Sequence, residues 1–277
     1  AYSLVAYQTA WLKCHHPAAF LAATLSSEMA DTDKVQFFFN DAVSQGLTFL
    51  PPDINTGGVR FTPVDGRIVR YGLGAIKGTG ESALSAILKA RDGGDKPGGP
   101  FADLFDFCRR LDKRVVNRRV IEALIRAGAF DAIDPHRAKL LASVGVALEA
   151  AEQAERNARQ CGLFDMDGPA GTPAARYVEV PHWGERERLL NEKQALGFFL
   201  SGHPFSEYAP EIAAFVRRGL AQLEPGREAV LMAGIVVGTR TQMTRRGKMA
   251  VVTLDDASAQ VEVSVFNELW DAERAKL

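Results

Sequence analysis

Apolar residues recur at helical spacing through the first fifty positions. Leu4, Val5, Trp11 and Leu12 fall near one face, and Pro17 opens a second helix through Phe20, Leu21 and Leu25. Asp31 or Thr32 is placed to cap a third helix carrying Val35, Phe38 and Phe39. Pro51-Pro52 ends this block. Extended runs follow, with Val59, Phe61 and Val64 leading to Asp65-Gly66, then Ile68, Val69 and Tyr71. Asp-Gly between such runs predicts a hairpin whose turn positions take positive φ.

From Gly72 the pattern changes. A glycine hairpin, Ile76-Lys77-Gly78-Thr79-Gly80, leads into a helix from Ser82 to Arg91 that ends at Gly93-Gly94. A Pro/Gly loop to Pro100 precedes a helix from Ala102 to Leu111. Asn117 caps another through Ile121, Leu124 and Ile125 to Gly128, and Pro135 opens a longer one to about Arg159. Residues 165–182 read as a linker. A helical pair, Leu189–Phe199 and Glu207–Arg217, is broken at Gly202-His203-Pro204. Beyond Ala229 the pattern is β, in Val230–Val237, Met249–Leu254 and Val261–Phe266, with turns at Arg246-Gly247 and Asp256–Ser258. That pattern starts a small barrel or sandwich, and the chain stops at Leu277 before such a sheet would close.

Composition narrows the classes without choosing among them. The chain has 277 residues, 47% hydrophobic and 24% charged, as ordinary globular proteins do. A net charge of −1 means that any nucleic-acid contact must come from local patches. The cysteines Cys14, Cys108 and Cys161 form no C-x-x-C, so neither zinc nor a disulfide framework is suggested, and a reducing cytoplasm fits best. No apolar run reaches spanning length and no signal peptide opens the chain. Ala1–Leu12 already reads as the middle of a helix, which suggests a piece excised from a longer chain.

Three constellations carry candidate chemistry. In the first, Gly78 and Gly80 let the backbone turn tightly, so that amides at the next helix's N-terminus face one phosphate while Lys77 adds charge. A dinucleotide fingerprint does not fit: three residues, not two, separate Gly74 from Gly78. Taken alone, the hairpin reads equally as a simple strand-to-helix turn. The densest basic run, Arg109–Arg119, tips the balance toward phosphate binding, with Lys113, Arg114, Arg118 and Arg119 as candidates. Ile121–Phe130 could form a second, degenerate hairpin unit with Arg126 and Gly128 at its turn.

The second constellation is Gln160-Cys161-Gly162-Leu163-Phe164. Leu163 and Phe164 supply two apolar anchors for a peptide-binding pocket and Gln160 a rim hydrogen bond. By itself the pentapeptide reads more readily as a helix-end cap contact. The third is Arg240–Lys248, whose Arg240, Arg245, Arg246 and Lys248 suit a single-strand contact from a β-loop or a solvated hairpin tip. Catalytic and metal-ligating residues are the negative result. Asp255 and Asp256, adjacent on a strand, point to opposite faces, and the histidines have neither ligand spacing nor a nucleophile nearby.

With these pieces in order, the chain resembles the alpha (catalytic) subunits of C-family bacterial replicative DNA polymerases. The stretches that carry the likeness are Ala1–Lys13 (AYSLVAYQTAWLK), Tyr71–Glu81 (YGLGAIKGTGE), Asn117–Asp131 (NRRVIEALIRAGAFD), Leu196–Pro204 (LGFFLSGHP) and Thr253–Asp256 (TLDD). The resemblance implies a multidomain, mainly α architecture with a small β part. Residues 1–71 would end a fingers domain and 72–159 form a tandem helix-hairpin-helix module. Residues 160–185 would hold a clamp-binding peptide and linker, 186–222 a helical connector, and 226–277 a truncated OB-fold. DNA contacts are then expected from Ile76, Lys77, Gly78, Thr79, Gly80, Lys113, Arg114, Arg118, Arg119, Arg126 and Gly128. Gln160, Leu163 and Phe164 match the clamp peptide, with Cys161 where a larger apolar residue is often found. Tyr2 and Tyr7 would border the nucleotide pocket.

The family's palm, whose carboxylates hold two Mg²⁺ ions, would lie before Ala1, so this piece is expected to bind no metal and to be inactive alone. The implied partners are double-stranded primer-template DNA, single-stranded template, the sliding clamp (beta subunit) and other replicase subunits, with no membrane. An error-prone C-family polymerase, a stand-alone helix-hairpin-helix/OB repair adaptor and, more remotely, a nucleotide-binding enzyme are the competing readings.

Overall fold

A computed structural model describes residues 2–93, 98–160, 176–244 and 247–274. The chain divides into two compact units, 1–201 and 202–277.

The first unit opens with α1 (Tyr2–His15), none of whose residues is buried, and α2 (Pro17–Ser27), which starts on its proline and buries Ala18, Leu21, Ala22 and Leu25. Asp31 caps α3 (Thr32–Ser44): its side chain accepts from the Lys34 amide at 3.2 Å, a bond worth about 1 kcal/mol. A strand absent from the sequence reading, β1 (Thr48–Leu50), pairs in parallel with β3 (Ile68–Arg70), which pairs antiparallel with β2 (Thr62–Asp65). The expected hairpin is therefore present. Its turn lies at Gly66-Arg67, however, and neither residue has positive φ; instead the Gly66 amide donates to Asp65 Oδ1 at 2.6 Å.

Four further helices complete the module. They are α4 (Glu81–Asp92), α5 (Leu104–Arg110), α6 (Arg118–Arg126) and the long α7 (Arg137–Gln160). One continuous core links them to the earlier block, from Ala18 through Tyr71, Phe107 and Phe130 to Phe198. It also reaches α8 (Glu185–Leu196), which packs on α6. Within the first unit, packing thus shows no break near residue 71.

The described part of the expected linker is docked. The Tyr177 hydroxyl accepts from the Leu104 amide at 3.3 Å, and Val178 N donates to Ser143 Oγ at 2.9 Å. His136 Nε2 lies 3.1 Å from the Val180 carbonyl. A composition rich in Pro and Gly signals missing helix and strand, but these contacts use the backbone and one aromatic ring.

In the second unit the expected helix Glu207–Arg217 shrinks to a 3₁₀ turn, Pro204–Glu207, and a single helical turn, α9 (Ala209–Ile212). Pro210 can sit only in a helix's first turn, which excludes a start at Glu207. Three antiparallel strands follow in the order β4 (Ile235–Thr244), β5 (Gly247–Asp255) and β6 (Gln260–Val265), with α10 (Asn267–Glu273) after them. The described strands form an open sheet, not a closed barrel. Much of Arg240–Lys248, read as a β-loop or a hairpin tip, is strand: pairing runs from Ile235↔Asp255 to Thr244↔Gly247, so Arg240–Thr244 and Gly247–Lys248 form a two-stranded ribbon.

His203 pins this unit's first turn to the sheet. Its Nε2 lies 3.2 Å from Asp255 Oδ1, and its Nδ1 accepts from Phe205 N. Asp256 turns elsewhere, accepting from the Leu220 amide at 2.7 Å and from Ser258. Burial alone would raise its pKa; the bonds from Ser258, Leu220 and Ala259 outweigh burial and hold it below the ordinary carboxylate value.

Candidate nucleic-acid interface

The glycine hairpin begins on a core residue. Ile76 is buried, so its side chain anchors the turn and cannot reach DNA. Lys77 is exposed, and its amide donates to the Ala195 carbonyl at 2.8 Å, seating the turn on the end of α8. Gly78 then takes φ +86° with open space where a Cβ would stand. Thr79 folds inward, its hydroxyl donating to the carbonyls of Ile76 at 2.7 Å and Leu73 at 3.0 Å. Gly80 precedes α4 and carries no side chain to cap it. In consequence the amides of Glu81, Ser82 and Ala83 meet no acceptor among the described residues. Glu81 and Ser82 are exposed while Ala83 is buried, so two uncapped amides at the positive end of a twelve-residue helix form an anion seat. Glu81 is the acidic residue in that turn, and its charge opposes an incoming phosphate.

The second turn is built differently. Asn117 caps α6, its Oδ1 accepting from Val120 N at 3.2 Å. At the other end of α6, Gly128 takes φ +84° but is buried, and a Cβ there would run into the Arg137 guanidinium. Arg137 is itself buried. It donates to both oxygens of Asp131, at 2.8 and 2.5 Å, and to the Arg126 carbonyl at 3.1 Å, and it faces Glu192 at 3.6 Å. Burial works against its charge, yet the bonds from Asp131 and the charges of Asp131 and Glu192 prevail and raise its pKa. The N-terminus of α7 is satisfied internally too, since the His136 ring accepts from Lys139 N and Asp134 from His136 N. Gly128 therefore offers no open backbone.

The basic run splits in the same way. Arg110 points inward, bonding the carbonyls of Ala90, Gly99 and Pro100 and stacking its guanidinium 4.5 Å over the Phe101 ring. Arg109 pairs with Asp106, Lys113 with Glu152 at 2.5 Å, and Arg118 with Glu122 at 2.7 Å. The hydrogen bond and charge of Lys113 hold Glu152 below its ordinary pKa. Arg126 lies between Glu122 at 3.6 Å and Asn191 at 3.2 Å. Arg114 and Arg119 are exposed and make no ion pair among the described residues.

Elsewhere, Tyr2 and Tyr7 are exposed on α1. Arg240 pairs across the sheet with Glu262 at 2.8 Å, and Lys248 is exposed opposite Met243. Leu163, Phe164, Arg245 and Arg246 lie outside the described residues, and Gln160 is the last residue of α7. Cys108 is no nucleophile, because burial and then the charge of Asp103 push its thiol up to about 12. No group of three or more His, Cys, Asp or Glu able to hold a metal occurs among the described residues.

Comparisons with known proteins cover the same residues. Residues 46–140, which contain both turns, match the sequence profile of the helix-hairpin-helix motif. The chain is 50% identical over 265 residues to DNA polymerase III subunit alpha of Neisseria meningitidis serogroup A, covering 96% of this chain and 23% of that protein. Over nearly its whole length, the chain is similar to one part of DNA polymerase III alpha subunits. The same subunit is 44% identical over 279 residues in Vibrio cholerae and 41% over 280 residues in Escherichia coli K12, each spanning 98% of this chain. The chain spans about a quarter of the length of these curated relatives. Within the matched stretch, the uncapped amides of α4 were the feature the sequence reading left unnamed residue by residue. The signal was there: no Ser, Thr, Asp or Asn stands where α4 needs a cap.

Proposed function

We propose that this chain is the DNA-positioning and clamp-tethering part of a replicative DNA polymerase that extends primers by template-directed dNTP addition. The observation that carries the reading is the Gly78 turn, an open left-handed glycine ahead of uncapped helix amides inside a helix-hairpin-helix match. One backbone phosphate seats on the amides from Gly80 to Ser82, with Lys77 beside it. Arg114 and Arg119 supply further phosphate contacts, and Lys113 and Arg118 join by exchanging their carboxylate partners for DNA. Such contacts position a duplex without reading its sequence. The near-complete match to alpha subunits favours this reading over a stand-alone repair adaptor.

The remaining parts of the proposal follow the family resemblance. Gln160, Leu163 and Phe164 engage the sliding clamp, which converts weak DNA contacts into sustained association by raising effective concentration. The second turn forms the other half of a tandem helix-hairpin-helix. The β4–β6 sheet belongs to an OB-type fold near single-stranded template, and α1 brings Tyr2 and Tyr7 toward the nucleotide pocket. The two Mg²⁺ ions of polymerase chemistry find no ligand group among the described residues, so no chemical step is assigned to them. No helix among the described residues is long and apolar enough to cross a membrane, which suits a replicase acting in the cytoplasm.

Binding to the bacterial sliding clamp tests the tether, comparing the chain with a Leu163→Ala/Phe164→Ala variant. Loss of binding in the variant supports the assignment. Equal binding by both, or none by the parent chain, removes the tether from the proposal.

A further inference from the structure

A pocket of about 500 Å³ opens beside the second turn, between α6, α7 and residues 180–187. Its floor is apolar, from Ala138, Leu141 and Ala142 of α7. One wall is aromatic. Trp183 and His182 line it, and the His182 ring is stacked on His136 with centroids 3.5 Å apart and planes within 16°. Another wall carries Arg118 and Arg126, both drawn to Glu122, while exposed Glu187 completes the lining. Arg119, next to Arg118 in the first turn of α6, is exposed.

The chemistry of this lining is selective. A free anion gains nothing from an apolar floor and a flat ring wall. An apolar peptide gains nothing from guanidiniums already half satisfied. An unpaired nucleotide uses both, stacking its base on aromatic rings and setting its phosphate against arginine.

Position supports the same ligand. Glu187, Asn191 and Ala195 recur every four residues along one face of α8. Glu187 lines the pocket, Asn191 accepts from Arg126 Nε at 3.2 Å, and the Ala195 carbonyl accepts from Lys77 N. At a rise of 1.5 Å per residue, the pocket and the Gly78 turn lie about 12 Å apart along that helix. That distance is roughly three to four base-pair rises of a DNA strand.

We propose that this pocket receives one unpaired nucleotide of a DNA strand whose duplex part is held at the Gly78 turn. The base stacks on His182 and Trp183, and its phosphate lies against Arg118 and Arg126. The inference rests on the reading of the Gly78 turn as the duplex site. It adds a single-strand contact on the helical module to the one the sequence reading placed on the β-strands.

The test is a titration of the full 277-residue chain with a blunt duplex and with the same duplex bearing a short single-stranded extension. The parent chain is expected to bind the extended DNA more tightly. Trp183→Ala should remove most of that gain, about tenfold, and leave blunt-duplex affinity unchanged. A variant retaining Trp183 alone (Trp11→Phe, Trp270→Phe) should lose tryptophan fluorescence on adding the extended DNA and not the blunt one. Equal affinity for both DNAs, or a gain that survives Trp183→Ala with no change in fluorescence, overturns the pocket assignment while leaving the duplex site standing. Failure to bind either DNA overturns both.

Discussion

Gly78 and Gly128 share nearly the same left-handed φ, +86° and +84°, and stand in opposite surroundings. Around Gly78 nothing approaches within 4 Å of where a Cβ would be, and the helix that follows begins with uncapped amides. Around Gly128 the space is filled by Arg137, which Asp131 and Glu192 hold in place. Glu192 is buried and also accepts from the amides of Leu200 and Ser201 at 2.6 and 2.8 Å. The lesson is that a glycine with positive φ marks a tight turn and nothing more. Whether the turn binds a phosphate depends on what occupies the adjacent space. At Gly78 a ligand can supply the missing acceptor; at Gly128 the protein's own side chains already satisfy the turn.

The comparison breaks most severely at Arg137. Arg137→Ala leaves Asp131 without its cation and takes from the buried Glu192 the nearer of its two, Arg188 remaining at 3.9 Å; breaking a buried pair from one side costs about 3–5 kcal/mol. Denaturant unfolding of the first unit should show that loss; a change under 1 kcal/mol would mean that the second turn is not held by charge. Gly128→Ala comes next. The new Cβ meets a pinned guanidinium as well as Asp131 Oδ2 at 2.9 Å, on top of the left-handed penalty of about 1–2 kcal/mol. Gly78→Ala incurs only that backbone penalty, so the two alanine variants should separate in the same unfolding experiment.

Smaller effects sharpen the same contrast. Arg114→Gln and Arg119→Gln should each reduce the salt slope of duplex binding by about 1, as expected for removing one phosphate contact. Glu81→Gln removes the carboxylate beside the anion seat and should tighten duplex binding about two- to fivefold, in keeping with ~0.5–1 kcal/mol for a charge at a helix terminus. Acid should loosen the filled turn as well. Asp134 is desolvated, but its bonds from Lys139 and the His136 amide hold its folded pKa below the ordinary carboxylate value. A carboxyl depressed on folding stabilises above its unfolded pKa, and that contribution drains away as pH falls through the lower, folded value. Hydrogen exchange at the start of α7 should therefore rise below about pH 4, and Asp134→Asn should blunt that rise.

Much of this was legible from residue pattern. Pro17, Asp31 and Asn117 mark helix starts through local chemistry, and each sits at a helix start in the structure. The features that escaped depend on distant partners. β1 is three residues long and gains its identity from β3, some twenty residues on. The run Arg109–Arg119 reads as one basic patch, yet Arg110 turns inward to carbonyls and Lys113 to a carboxylate on α7. No pattern in the chain announces that Arg137 lies over Gly128, because that contact forms only when α6, α7 and α8 pack together. The openness of the Gly78 turn is equally invisible at sequence level, although the missing cap on α4 points to it.

The most direct measurement is the affinity of the chain and its two glycine variants for a short labelled duplex, titrated across a range of salt. The account predicts salt-sensitive, sequence-indifferent binding that Gly78→Ala weakens at least tenfold, with Gly128→Ala, under conditions where it remains folded, close to the parent chain. Salt-independent binding, or equal weakening by both variants, would contradict it.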